Sequence, residues 1–258
     1  MAGGPPRWLL IGNSRWHWAL AGPAGLRIEH QMPPAWALEP GILDDLVGWA
    51  AVGPLPASVA LPPERQLLLE QVPLAALPPW LGLDRALAGW LAWRRQGRGV
   101  LVADAGTVLS LTRVEGSGRF AGGRLLAGVG LQLQAMAAGT AALPRLELPL
   151  TDPPAGPPSP DLDWPTETHR AMVTGVVRGL AAAVADAARE AHGLETGCHL
   201  VVSGGDGALL LPRLQVLLAG QGVTVELQSD LALEALVQLQ PNAAGDAPAQ
   251  ARPRSVRI

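Results

Sequence analysis

The 258-residue chain contains no lysine and no tyrosine, one phenylalanine and one cysteine. With Cys198 alone, no intramolecular disulfide can form, which fits a reducing cytoplasm. Without lysine, every fixed positive side chain is an arginine. No basic run is long and the formal net charge is -3, so nucleic acid is not an expected partner. The five histidines show no paired metal-ligand spacing. The first residues lack a basic segment followed by a long apolar one, so no signal peptide is expected. The longest uncharged run, 125–144, is broken by Gln132, Gln134, Thr140 and three glycines. It reads as a buried loop and helix rather than a membrane span.

What is present is a globular composition, 48% hydrophobic, long enough for one large domain or two medium ones. The stretch 100–113, VLVADAGTVLSLTR, organises the rest. Two apolar, β-branched runs flank Asp104-Ala105-Gly106-Thr107, the pattern of a strand, a tight turn and a second strand. A glycine there lets backbone N–H groups approach a ligand, Thr107 adds a hydroxyl, and Asp104 stands at a strand end within reach of a cation. Taken alone, the tetrapeptide reads better as a plain hairpin turn.

The same order occurs earlier. Strands are expected at 7–11, 16–21 and 26–30, with Gly12-Asn13-Ser14 as the first turn. Strands at 100–103, 108–114 and 119–126 repeat the arrangement after Gly97. Between the copies the spacing predicts a helix over 42–52, a short strand over 57–61, and a helix over 84–93 with Arg94 and Arg95 at its C-terminal end. After the second copy it predicts a helix over 131–138, an exposed loop over 151–165 and a long alanine-rich helix over 168–191. That helix carries the stripe Met172, Val176, Leu180, Val184, read as core. A strand over 199–202 ends in Ser203-Gly204-Gly205-Asp206. A helix over 208–218 with Pro212 in its first turn, a strand over 223–227 and a helix over 230–240 capped by Asp230 follow. Residues 242–258 read as disordered, and His17 as a side chain on a solvated strand face.

Two three-stranded units, each with a turn suited to phosphate after its first strand, followed by a late glycine pair, resemble the actin-like ATPase plan. That plan implies an α/β fold of two ribonuclease-H-like domains flanking a nucleotide cleft, drawn as 1–97 and 98–240 with a tail from 241 to 258. The ordered motifs are more specific. Gly12-Asn13-Ser14, Gly82-Leu83-Asp84-Arg85, Asp104-Ala105-Gly106-Thr107, Gly122-Gly123, Gly128, Thr140 ahead of Leu143-Pro144, Thr168 and Gly204-Gly205 follow one another as in the type III pantothenate kinases. The resemblance runs from about residue 8 to residue 237. It departs in two places: Leu10 stands where that family opens with an aspartate, and Ala127 where it has a proline.

The resemblance implies transfer of the γ-phosphate of ATP, with Mg²⁺, to pantothenate, the first step of coenzyme A synthesis, in a cytoplasmic homodimer. It makes Asp84 the base for the acceptor hydroxyl. Gly82, Leu83, Arg85 and Thr168 become substrate contacts, with Arg85 a clamp for the carboxylate of pantothenate. Gly12, Asn13, Ser14, Gly106, Thr107, Gly204 and Gly205 become the ATP contacts. Asp104 becomes the ligand of a monovalent cation, potassium or ammonium. Asp84 and Thr168 also suit helix N-terminal capping. The segment 125–143 and the helix 168–191 are the expected dimer faces. The alternative left open by Leu10 is a catalytically impaired relative acting as a regulatory accessory factor.

Overall fold

The structure is a computed structural model that describes residues 4–33, 40–52, 55, 57, 59–146 and 164–240. Most of the expected loop at 151–165 and the tail from 241 lie outside the described residues. By its contacts the chain divides into two compact units. Among the described residues, the first holds those up to Ala92 together with 230–240, and the second is Trp93–Ser229.

In the first unit, β1 (Arg7–Ile11), β2 (Trp16–Gly22) and β3 (Gly25–Gln31) form an antiparallel meander, and β4 (Leu46–Ala51) joins β1 in parallel, giving the order β3-β2-β1-β4. Period-two alternation decides the faces. Leu9 and Ile11 pair with Trp18 and Trp16 and bury a tryptophan-rich core with Leu20, Leu46 and Trp49. Trp8 and Leu10 point the other way, with His17 and Ala19 as cross-strand partners. The last helix of the described chain, α6 (Leu231–Leu239), packs on β1, β2 and β4. Trp8 Nε1 donates to the carbonyl of Gln240 at 2.7 Å. A Cβ on Gly48 would meet Gln240 Oε1 at 1.8 Å, so a larger residue there would push the Gln240 side chain aside.

Two expectations fail in this unit. The helix over 42–52 is a five-residue turn of helix, α1 (Pro40–Asp44), followed by strand β4. Its close-set apolar residues mimic a helical face. Leu46, Gly48, Trp49 and Ala50 are instead all buried, because a parallel strand covered on both faces reads as one continuous apolar run. No described residue of 57–61 is in a strand. Gln66 makes the bridge to Trp49, beyond Pro62 and Pro63, which lack N–H donors. The helix α2 (Leu83–Gln96) starts one residue before its expected position and buries Ala86–Ala92.

The second unit repeats the plan. β5 (Val100–Ala105), β6 (Val108–Val114) and β7 (Phe120–Ala127) are antiparallel. β8 (His199–Ser203) and β9 (Val225–Leu227) add in parallel, and the order is β7-β6-β5-β8-β9. Three antiparallel strands followed by parallel strands beside the first is the ribonuclease-H-like sheet, present in both units. Helix α3 (Val129–Gly139) follows β7, and α4 (Thr168–Leu194) packs against it, against the sheet and against α5 (Gly207–Leu218). By length and composition α4 could cross a membrane. Its stripe Met172, Val176, Leu180 and Val184 is buried in the unit's own core, as expected of a core helix. Pro212 lies in the interior of α5 rather than in its first turn, because the helix begins at Gly207.

Candidate active site

In the first unit, the turn after β1 is closed by Gly12 N donating to the carbonyl of Arg15 at 2.9 Å. Asn13 and Ser14 are exposed beside it. A carbonyl at that distance and the backbone N–H groups of a tight turn favour a glycine, since a Cβ on Gly12 would lie 3.0 Å from the Arg15 oxygen. Leu10, two residues earlier, is buried at 6% exposure, so β1 itself offers an apolar side chain and not a carboxylate at this strand end.

The sequence Gly82-Leu83-Asp84-Arg85 is the entry to α2. Gly82 offers its carbonyl to Ala86 N at 3.2 Å, and Asp84 lies in the first helical turn. Asp84 Oδ1 accepts from the Arg85 backbone N–H at 2.7 Å. Burial pushes the Asp84 carboxyl above its usual value, against the lowering effects of that N–H and of the Arg85 guanidinium. A carboxylate held more basic than normal at a helix entry is suited to accept a proton. The guanidinium of Arg85, itself partly desolvated, lies beside it and supplies positive charge for an anionic substrate group.

In the second unit three turns meet at the C-terminal ends of β5 and β8. Asp104 pairs in register with Ser203, so the ends of these parallel strands are level. Gly204 has φ +81°, and a Cβ there would lie 2.5 Å from both the Ala105 carbonyl and Asp104 Oδ1. Asp206 N donates to the Ala105 carbonyl at 2.9 Å. Gly128 closes the other side: its N–H donates to the Thr107 carbonyl at 3.0 Å, and a Cβ would strike the Gly106 oxygen at 2.1 Å. Gly205 faces open space, and Thr107 is exposed. The structure therefore brings Asp104, Gly106, Thr107, Gly128, Gly204 and Gly205 together. It gives them the chemistry of an anion cradle, with backbone donors and a carboxylate able to hold a cation. Among the described residues no cluster of three or more His, Cys, Asp or Glu could hold a metal ion. Mg²⁺ fits this kind of site as a hydrated ion carried by phosphates, and Asp104 places a carboxylate at these strand ends.

The remaining expectations divide. Thr168 is exposed and is the first residue of α4, where Glu167 rather than Thr168 takes the N-cap position. Thr140 ends α3, and its hydroxyl donates to the Met136 carbonyl at 2.8 Å. Cys198 is buried with its thiol pushed up to about 11, chiefly by that burial, so it is no nucleophile.

One cluster was missed. His17 is half-buried rather than solvated. Its Nδ1 lies 2.7 Å from His30 Nδ1, and His30 Nε2 lies 3.4 Å from Asp230 Oδ1. Asp230 stands at the N-cap of α6, yet its side chain makes no capping bond. A signal for half of the cluster was present: His17 and His30 are equidistant from the Gly22–Gly25 turn and so face each other across the hairpin. Nothing local pointed to Asp230.

Duplicated ribonuclease-H-like sheets, glycine turns at the ends of their first strands and a basic carboxylate at a helix entry define an ATP-dependent phosphotransferase of the actin-like class. The sequence profile of the type III pantothenate kinases matches residues 71–190. A type III pantothenate kinase of Synechococcus sp. (strain JA-3-3Ab) is 41% identical over 220 residues, covering 82% of this chain and 84% of that protein. One of Thermosynechococcus vestitus is 44% identical over 177 residues, covering 67% and 66%. The chain belongs to the type III pantothenate kinase family. Two solved structures share its fold. One is described as a Baf family transcriptional activator from Campylobacter jejuni, with TM-score 0.55 and 16% identity over 90% of this chain and 96% of that one. The other is described as a 2-dehydro-3-deoxygalactonokinase from Sinorhizobium meliloti, with TM-score 0.51 and 16% identity over 96% and 99%.

Proposed function

We propose that this chain transfers the γ-phosphate of ATP to the primary hydroxyl of pantothenate, giving 4'-phosphopantothenate for coenzyme A synthesis. The observation that carries the assignment of roles is the half-buried Asp84 carboxylate at the entry of α2, raised in basicity and flanked by Arg85. The hydroxyl oxygen attacks the γ-phosphorus and the bond to the β-bridging oxygen breaks. ADP leaves, and the hydroxyl proton passes to Asp84. Phosphoryl transfer asks mainly for positioning and charge stabilisation, so a carboxylate that accepts the proton late is sufficient.

Arg85 binds the pantothenate carboxylate, with Gly82, Leu83 and Thr168 as further substrate contacts. Gly12, Asn13, Ser14, Gly106, Thr107, Gly204 and Gly205 are the ATP contacts. Asp104 holds a potassium or ammonium ion, a charge that matters in a chain with no lysine. Mg²⁺, when bound with ATP, neutralises the phosphate charge that builds as the bond breaks.

A cytoplasmic homodimer completes the reading. The lone buried Cys198 supports the compartment. The dimer is supported by Val108, Leu125 and Leu131, apolar residues left exposed on the edge made by β6, β7 and α3. The stripe of α4 is consumed inside its own unit, so that helix can add to the dimer only through its other residues.

Leu10 favours a second reading, a regulatory accessory protein that keeps the fold without the chemistry. A coupled assay of ADP release with pantothenate, run with potassium, with ammonium and with sodium, separates the two. Pantothenate-dependent turnover that needs potassium or ammonium is the expected result. Its absence in all three salts defeats the kinase assignment and leaves the regulator.

A further inference from the structure

The turn Gly12-Asn13-Ser14-Arg15 contains no carboxylate and the chain has no lysine, but a histidine with an unusual support faces it. His17 sits on β2 directly opposite Leu10 of β1 and His30 of β3, so these side chains share one face of the sheet. The Nε2 edge of His17 faces the turn: a Cβ built on Gly12 would lie 3.4 Å from that nitrogen. Its other nitrogen, Nδ1, contacts His30 Nδ1 at 2.7 Å, a distance that requires a proton between the two rings. His30 then reaches Asp230 through Nε2. An aspartate at an N-cap ordinarily bonds the helix's own N–H groups. Asp230 does not, and faces the imidazole instead.

This chain has two protonation states. In the first, His30 is neutral and donates Nε2–H to Asp230, so its Nδ1 accepts from His17 Nδ1–H and His17 Nε2 is a bare lone pair. Adding one proton shifts the others along. The new proton resides on His17 Nε2, the proton between the rings moves to His30 Nδ1, and the positive charge rests on His30 beside the Asp230 carboxylate. One proton thus converts the group facing Gly12 from acceptor to donor. Phosphate oxygens only accept.

We propose that Asp230, His30 and His17 form a proton relay that presents His17 Nε2–H to a phosphate at the Gly12 turn, so that nucleotide binding takes up a proton. This rests on the reading that the turn Gly12-Asn13-Ser14 meets the phosphates of ATP. His17 is the contacting residue; His30 and Asp230 are positioning residues that act through it. The imidazole of His17 is held down at about 4 by burial, by His30 and by Arg15, so His17 itself stays neutral in both states and the charge is carried by His30. The charged groups facing the relay are Arg15 at the turn, and Asp230 and Glu234 on α6. β1 contributes only Leu10 there.

Titration calorimetry of a non-hydrolysable ATP analogue with Mg²⁺, in buffers of different ionisation enthalpy at one pH, counts protons directly. The full-length protein is expected to take up more protons per nucleotide than His30→Gln, by up to one. Ionisation of the nucleotide's own phosphate is common to both proteins and cancels in the difference. Relative to His30→Gln, the affinity of the native protein falls as pH rises, by as much as about tenfold per pH unit where uptake is complete. Nitrogen-15 spectra of labelled histidine in the unmutated protein give an independent reading, with His17 Nε2 expected to gain its proton when nucleotide binds. Equal proton counts in the two proteins, or an unchanged His17 Nε2 signal, overturn the relay. If either occurs while pantothenate is still phosphorylated, the relay falls and the kinase assignment stands. If the native protein binds no nucleotide, both fall.

Discussion

At the scale of single residues the site is an arrangement of strained or desolvated groups. Asp84 is ionised at a place where burial disfavours charge. Its folded carboxyl titrates above its unfolded one, so between the two values the native state keeps a proton that the unfolded state has released. Stability therefore falls as pH rises through that window, and the charge at neutral pH is a net cost to the fold. Asp84→Asn is expected to lower kcat by about 10²–10⁴ while leaving the melting temperature at pH 7 equal or higher. Steady-state kinetics and a thermal melt check the pair. A loss of activity together with a clear loss of stability would make Asp84 a structural residue. Gly204 and Gly205 make a matched test. Gly204→Ala forces a Cβ against the Ala105 carbonyl at a positive φ, and is expected to destabilise by about 1–3 kcal/mol and to weaken nucleotide binding. Gly205→Ala meets open space and is expected to leave stability within about 0.5 kcal/mol, as read from denaturant midpoints. Asp84 and Gly204 were both legible as motif members in the sequence. The His17–His30–Asp230 cluster was not, because its third member is some two hundred residues away and joins only when α6 returns to the first sheet.

At the scale of elements the decisive pieces are α4 and the strands it covers. The stripe Met172, Val176, Leu180, Val184 reads directly from the sequence, because a 3.6-residue period with one apolar face is local information. Leu180 is 2% exposed against β5, β8 and the neighbouring helices' side chains in one core. Leu180→Ala is expected to cost about 2–5 kcal/mol, measured by denaturant unfolding. β4 was the opposite case. Its run Leu46–Ala51 looked helical, and only pairing with β1 makes it a strand, since a segment buried on both faces carries no alternation. The same limit placed Pro212 wrongly within α5: a proline marks a helix start on average, but the start is set by where β8 ends and the chain turns at Gly204.

At the scale of the whole molecule, duplication governs. Each unit carries the same antiparallel meander with parallel pairing beside its first strand, by one strand in the first unit and two in the second, and each puts a glycine turn at the end of that first strand. The exposed edge at Val108, Leu125 and Leu131 is the surface proposed for self-association. Leu125→Arg is expected to convert a dimer to a monomer by sedimentation with little change in melting temperature, as its side chain is 62% exposed in the single chain. An unchanged sedimentation coefficient would remove that surface from the dimer. The amino-acid sequence by itself determined the strand-turn-strand units, the amphipathic helices and the short glycine and aspartate motifs, because each depends on residues within a few positions of one another. The tertiary structure alone decided that β4 is a strand, that α6 belongs with the first sheet, that Gly128 and Gly204 close on the Asp104 turn, and that two histidines and an aspartate stand in contact behind Gly12. Those outcomes depend on which surfaces exclude water together, and burial between distant segments leaves no periodic trace in either one.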